Sequence, residues 1–129
     1  MGPWKWFNLQ DDPLIAGLDT ELMAMLDMAR DKAGVPFTIT SGKRSPDQNA
    51  ALCGAVQDSA HLAGLAVDLA VPGDDHVFDR MLYGLTIAGF VRKGQYFSVQ
   101  GAKLIPRHLH IDIDKTKPQE VTWSLVEEN

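Results

Sequence analysis

Between Arg107 and Asp114 the chain alternates strictly, with His108, His110, Asp112 and Asp114 at one parity and Leu109, Ile111 and Ile113 at the other. Side chains two apart on a strand share a face. The segment therefore predicts a strand with an apolar face for the core and a polar face lining a cleft. Ala66 to Val71 repeats the pattern: Asp68 shares its face with the small Ala66 and Ala70, and Val67, Leu69 and Val71 take the reverse. A carboxylate flanked by alanines on a half-buried strand needs a partner, because an unpaired buried charge is expensive. Two such strands confine the chain to a sheet whose one face packs on a core while the other carries chemistry.

The remaining elements follow from periodicity and caps. From Asp19 to Ala33 the residues Leu22, Met25, Leu26, Met28 and Ala29 fall at helical spacing, with Asp19 or Thr20 as cap and Gly34 as stop. Pro36 precedes an alternating, β-branched strand over Phe37 to Ser41. Gly42 to Ala60 reads as polar and turn-like, with a short helix over Pro46 to Leu52. Leu65 to Val71 is the next strand, ended by Pro72-Gly73. Asp74 or Asp75 then caps a helix reaching about Gly89, with Phe78, Met81, Leu82, Leu85 and Ile87 as its apolar residues. Further strands are expected around Phe90 to Lys93, Tyr96 to Val99 and Leu109 to Asp114, with Gly94-Gln95 as a turn between the first two, and one more over Val121 to Val126. This order predicts an α+β fold, a small antiparallel sheet with helices packed on it and a metal site in a cleft on the sheet. Residues 1–13, with Trp4, Trp6 and Phe7, read as an N-terminal arm on a single domain spanning 1–129.

Composition excludes several classes. The formal charge of −5 and the scattered 12 Lys and Arg argue against a nucleic-acid partner, which would call for a basic stripe. No apolar run approaches the roughly 20 residues of a transmembrane helix. The N-terminus lacks a signal-peptide layout, so synthesis in the cytoplasm is expected. The single Cys53 excludes an internal disulfide and a Cys-rich zinc knuckle, and reads as filler in Ala-Ala-Leu-Cys-Gly-Ala. No heptad or long exposed apolar helix calls for a partner copy, so a monomer is expected.

Gly64 permits a tight reversal before the strand, which lets His61 and Asp68 meet at one ion. With a histidine from His108-x-His110 they supply two imidazoles and a carboxylate. That is the ligand set of a hydrolytic zinc site, with three protein groups and a fourth position for water. Mixed nitrogen and oxygen donors suit Zn²⁺ better than Mg²⁺ or Ca²⁺. Either piece alone is weak, since a lone His-x-His on a strand is usually structural. Both on strands with apolar reverse faces make the metal reading the stronger one. His76, near a helix start, reads as a surface residue.

Ser59-x-His61-x-x-Gly64-x-Ala66-x-Asp68, with Thr38-Ile-Thr-Ser-Gly-Lys-Arg-Ser-Pro46 upstream, resembles the zinc D-alanyl-D-alanine carboxypeptidases and the L-alanyl-D-glutamate endolysins of bacteriophages. The upstream piece continues into Gln48-Asn49 and Gly54-Ala55, and the resemblance runs from roughly Trp4 to Asp114. It implies zinc on His61, Asp68 and His110, with Arg44 stabilising the charge that develops on the attacked carbonyl oxygen and Ser59 helping to bind the peptide. It implies peptidoglycan stem peptides as substrates, and an enzyme acting on the cell wall, as a phage or prophage lysis enzyme does. Relatives often carry an acid three residues before the last histidine ligand; here that residue is Arg107. In the wider group a His-x-His ending puts the first histidine into catalysis, which implies His108 as the base, with Asp112 as an alternative or as an orienter of the ligand. The competing reading is a non-catalytic wall-binding module that keeps the fold, which Arg107 favours.

Overall fold

The computed structural model describes residues 3–50 and 59–127. The Asp19 carboxylate accepts the backbone N–H groups of Glu21 and Leu22 at 2.8 and 3.2 Å, satisfying donors that a helix start leaves orphaned. It thereby starts α1 (Thr20–Ala33), which ends at Gly34. Leu22, Met23, Leu26, Ala29 and Ala33 of α1 are buried, whereas Met28 is exposed, so the buried stripe is turned toward Met23 and away from Met28 relative to the expected one. The chain continues through β1 (Thr38–Ser41), α2 (Pro46–Ala50), a 3-10 turn over Ala60–Ala63, and β2 (Ala66–Ala70). Asp74 caps α3 (Asp75–Ile87) by accepting from the backbone of His76 and Val77. Strands β3 (Arg92–Gln100), β4 (Lys103–Asp112) and β5 (Val121–Glu127) complete the fold. Leu52, Cys53, Gly54 and Ala55 lie outside the described residues.

The sheet order is β1-β2-β4-β3-β5. β1, β2, β4 and β3 are antiparallel neighbours, and β5 alone runs parallel to β3 at the edge. One sheet face, with Val67, Leu69, Leu109 and Ile111, is sealed in a core shared with Leu22 and Leu26 of α1 and Met81 and Leu85 of α3. At roughly 1.5–3 kcal/mol per fully buried large side chain, this apolar face is what holds β2, with Asp68, and β4, with His108 and His110, in register. Phe7 of the N-terminal arm joins that core, while Trp6 stays at the surface beneath the Arg30 guanidinium, 3.9 Å from its ring centroid.

Three expectations are corrected. Gly94-Gln95 is no turn: both lie inside the continuous strand β3, where Gly94 makes room for another residue's ring. β4 starts at Lys103, well before Leu109. Its Pro106 is tolerated because the pairing slips between Tyr96 and Phe97, a bulge that skips Arg107. Asp114, expected within the last residues of that strand, lies past its end and is buried. It accepts from Thr116 Oγ1 at 2.6 Å and Lys117 Nζ at 2.8 Å. Burial would raise its carboxyl, but these bonds outweigh that and pull the pKa down to about 2.

Candidate metal centre

Register lines up one row of residues across the open face of the sheet: Ser41, Asp68, His110, Gly94 and Trp123, one per strand. His61 reaches this row from the 3-10 turn. Ser59 caps that turn, its Oγ accepting the His61 backbone N–H at 3.3 Å. Gly64 then reverses the chain at φ 73, where a Cβ would also meet the Gly17 carbonyl oxygen at 2.5 Å, so both sterics and dihedral demand glycine. His61 ends up 2% exposed.

The hydrogen bonds fix which ring atoms are free. His61 Nδ1 lies 2.7 Å from the Gly42 carbonyl oxygen. A carbonyl only accepts, so Nδ1 carries the proton, and in the neutral ring Nε2 presents a lone pair to Asp68 Oδ1 at 3.3 Å. His110 Nδ1 sits 3.0 Å from the same Oδ1, and its Nε2 lies 2.8 Å from Asp112 Oδ2. Two ring nitrogens thus converge on one carboxylate oxygen, and one ligand atom from each of His61, Asp68 and His110 lies within 4.8 Å of the others. Lone pairs facing a carboxylate repel unless a proton or a cation sits between them. A divalent cation satisfies all three donors at once, and the donor set fits Zn²⁺ chemistry. Each histidine's distal nitrogen is held by an oxygen, Gly42 O for His61 and Asp112 for His110, which is how metal-binding imidazoles are commonly oriented.

The electrostatics agree with this crowding. With a proton in the cation's place these contacts become hydrogen bonds: burial would raise the Asp68 carboxyl, but N–H donation from His110 and His61 outweighs it and holds it well below the usual carboxylate range. Burial would likewise lower His110, and the hydrogen bonds to Asp112 and Asp68 raise it instead. Asp112 is lowered in spite of its burial by His110 and by Arg92, whose Nε lies 2.7 Å from Asp112 Oδ1.

A family model described as peptidase M15 matches residues 7–112. The chain belongs to the M15 peptidases. Among solved structures, that of the L-Ala D-Glu endopeptidase ChiX of Serratia marcescens is similar, with a TM-score of 0.54 at 18% identity over 81% of this chain and 88% of that one. At that identity the likeness concerns the fold. No curated protein sequence matches the chain. The M15 match spans β1 to β4 and so includes His61, Asp68 and His110, while β5 lies beyond it.

Arg44 follows β1 and donates from Nη2 to Ser59 Oγ at 2.8 Å, while its backbone N–H bonds the His61 carbonyl at 2.9 Å. Its Nε is buried without a hydrogen-bond partner. His108 lies on the same face as His110, stacked on Tyr96 with ring centroids 4.3 Å apart, and its Nδ1 is 3.3 Å from a Glu127 carboxylate oxygen. Asp112 is 2% exposed and engaged by His110, Arg92 and the Asp114 backbone N–H. Arg107 donates from Nε to Ser98 Oγ at 2.6 Å. His76 is exposed, as the sequence indicates.

Sequence reasoning missed Arg92, Gly94 and Trp123. A signal for the first existed: Asp112 sits between Ile111 and Ile113 on a strand entering the core, and a buried carboxylate there requires a cation. Nothing local says which of the scattered basic residues supplies it.

Proposed function

We propose that this chain is a zinc-dependent peptidase that hydrolyses an amide bond in the stem peptides of bacterial peptidoglycan. The observation that carries the reading is the convergence of His61 Nε2 and His110 Nδ1 on Asp68 Oδ1 with both distal nitrogens already engaged. The endopeptidase named for the similar structure supports the substrate class.

A divalent cation bound by His61, Asp68 and His110 would supply Lewis-acid activation of a carbonyl and of water at neutral pH. Arg44 is the oxyanion donor: its guanidinium is held by one hydrogen bond from Nη2 to Ser59, and a guanidinium has further N–H groups to offer a carbonyl oxygen. Ser59 holds that guanidinium while capping the turn that carries His61. His108 takes the proton from the attacking water and returns it to the leaving amine. Asp112 orients His110 and does not act as base, since its carboxylate is buried and already accepts three hydrogen bonds.

A second reading, a wall-binding module without turnover, has one observation in its favour: Arg107 stands where relatives often carry an acid and is tied to Ser98. One experiment separates the two. Purified peptidoglycan is incubated with zinc-loaded and with chelator-treated protein, and the soluble products are weighed by mass spectrometry. Metal-dependent release of D-alanine or of cleaved stem peptide is expected. Wall binding with no such release by fully zinc-loaded protein overturns the peptidase reading.

A further inference from the structure

The M15 match ends at Asp112, but the sheet runs on for one more strand. β5 pairs in parallel with β3 and sets Trp123 opposite Gly94, which is itself opposite His110. The indole therefore shares a row with two residues of the metal cluster, its ring centroid 5.7 Å from the His110 imidazole. A missing side chain makes its seat: a Cβ on residue 94 would lie 2.6 Å from Cε2 and Nε1 of the ring, closer than atoms can approach. Trp123 Nε1 donates to Tyr96 Oη at 3.3 Å, and the Arg92 guanidinium lies 5.2 Å from the ring centroid. The ring's place is thus fixed on several sides, yet it stays only half-buried, with the apolar Leu125 next on its face and exposed.

The cluster consequently has two unlike flanks. On the β1 side stand Arg44 and Ser59, hydrogen-bond donors and acceptors. On the β5 side stands an aromatic wall of Trp123, Tyr96 and His108. A peptide amide is two-sided in the same way, with a carbonyl oxygen to stabilise and aliphatic Cα and Cβ groups to desolvate. An indole gives a large apolar contact at low entropic cost while its N–H is satisfied elsewhere.

We infer that Trp123 contacts the substrate. Its indole packs against the aliphatic side chain next to the scissile amide, with the carbonyl turned to Arg44, so that β5 belongs to the recognition surface of this site. The inference rests on the proposed action on stem peptides and extends it to a strand outside the family match.

Two measurements test it. In steady-state hydrolysis of a stem tetrapeptide by zinc-loaded protein, Trp123→Ala is expected to raise KM about tenfold with kcat within about twofold, and Trp123→Phe to recover most of the loss. Zinc stoichiometry is measured on every variant. The second measurement uses a Trp4→Phe/Trp6→Phe background, in which Trp123 is the sole tryptophan of the three. A reduced-amide analogue of the tetrapeptide, which cannot be cleaved, is titrated against the zinc-loaded chain, and a saturable change in indole fluorescence is expected. An unchanged KM in Trp123→Ala at full zinc occupancy, or a flat titration, overturns the inference. If the parent protein cleaves no stem peptide, the peptidase reading falls on that result alone. The titration then still decides the Trp123 contact.

Discussion

Replacing Arg92 with Met tests the support beneath the metal cluster. Arg92 and Asp112 are both buried, at 8% and 2% exposure, with Nε 2.7 Å from Oδ1. Removing one partner of a buried ion pair leaves an uncompensated charge and costs about 3–5 kcal/mol, whereas the pair itself contributes much less than that. Arg92→Met keeps most of the side-chain volume, so the loss is of polar contacts, the ion pair first and with it the hydrogen bond to the Pro118 carbonyl. The same change frees the carboxylate that accepts from His110 Nε2, and disturbing such a partner weakens metal binding about 10–100-fold. Urea unfolding of the metal-free protein reads the first quantity, and zinc competition against a chromophoric chelator reads the second. Adding Asp112→Asn removes the stranded charge but leaves an amide oxygen for His110, so the double variant should be more stable than Arg92→Met alone. Wild-type stability together with wild-type zinc affinity in Arg92→Met would show that this pair supports nothing at the cluster.

His108→Ala should retain full zinc occupancy and lose about 10²–10⁴ in turnover, as removal of a general base does; unchanged turnover would transfer the proton role to another group. Arg44→Ala should lower kcat by about 10²–10³ with thermal unfolding unaltered, and a normal kcat would return it to a structural role at Ser59. Gly94→Ala should displace Trp123 and cost about 1–3 kcal/mol of overpacking, read by denaturation and indole fluorescence; a neutral result would mean the ring is not seated on the strand. Asp114→Asn addresses acid stability. The folded pKa of Asp114 is about 2 against 3.8 for the free group, so its contribution is present above roughly pH 4 and fades as pH falls toward 2. The variant should be less stable than the parent by about 2 kcal/mol at pH 7, with the gap closing at low pH; a gap that persists at pH 2 would refute the linkage.

What was legible in the sequence was whatever a local rule governs. Asp19 and Asp74 cap their helices because a cap needs only a carboxylate within a turn of the first N–H groups. Parity alone put Asp68 and His110 on the open faces of β2 and β4, and register then set them opposite each other. The misses at Gly94 and Arg92 depend on pairings between distant segments, whereas Asp114 is held by Thr116 and Lys117 just beyond it. Gly94 looked like a turn because glycine weakens a strand unless something occupies the vacated space, and the occupant, Trp123, arrives on a strand that pairs in parallel. The alternation of Val121, Trp123 and Leu125 showed a face without naming the neighbour beneath it. Arg92 was hidden for the same reason: Asp112 announced the need for a cation, but only the β3–β4 pairing brings that guanidinium alongside it. Local pattern thus offered His61, Asp68 and the pair His108-x-His110 as metal-binding candidates, and the choice of His110 within that pair came from the family resemblance. The parts that lock them, Arg92 on Asp112 and Trp123 on Gly94, appear only once the sheet order is known. Perturbing the locks while leaving His61, Asp68 and His110 intact is therefore the sharper test of the site, because it is expected to move metal affinity and peptide recognition without deleting a proposed ligand.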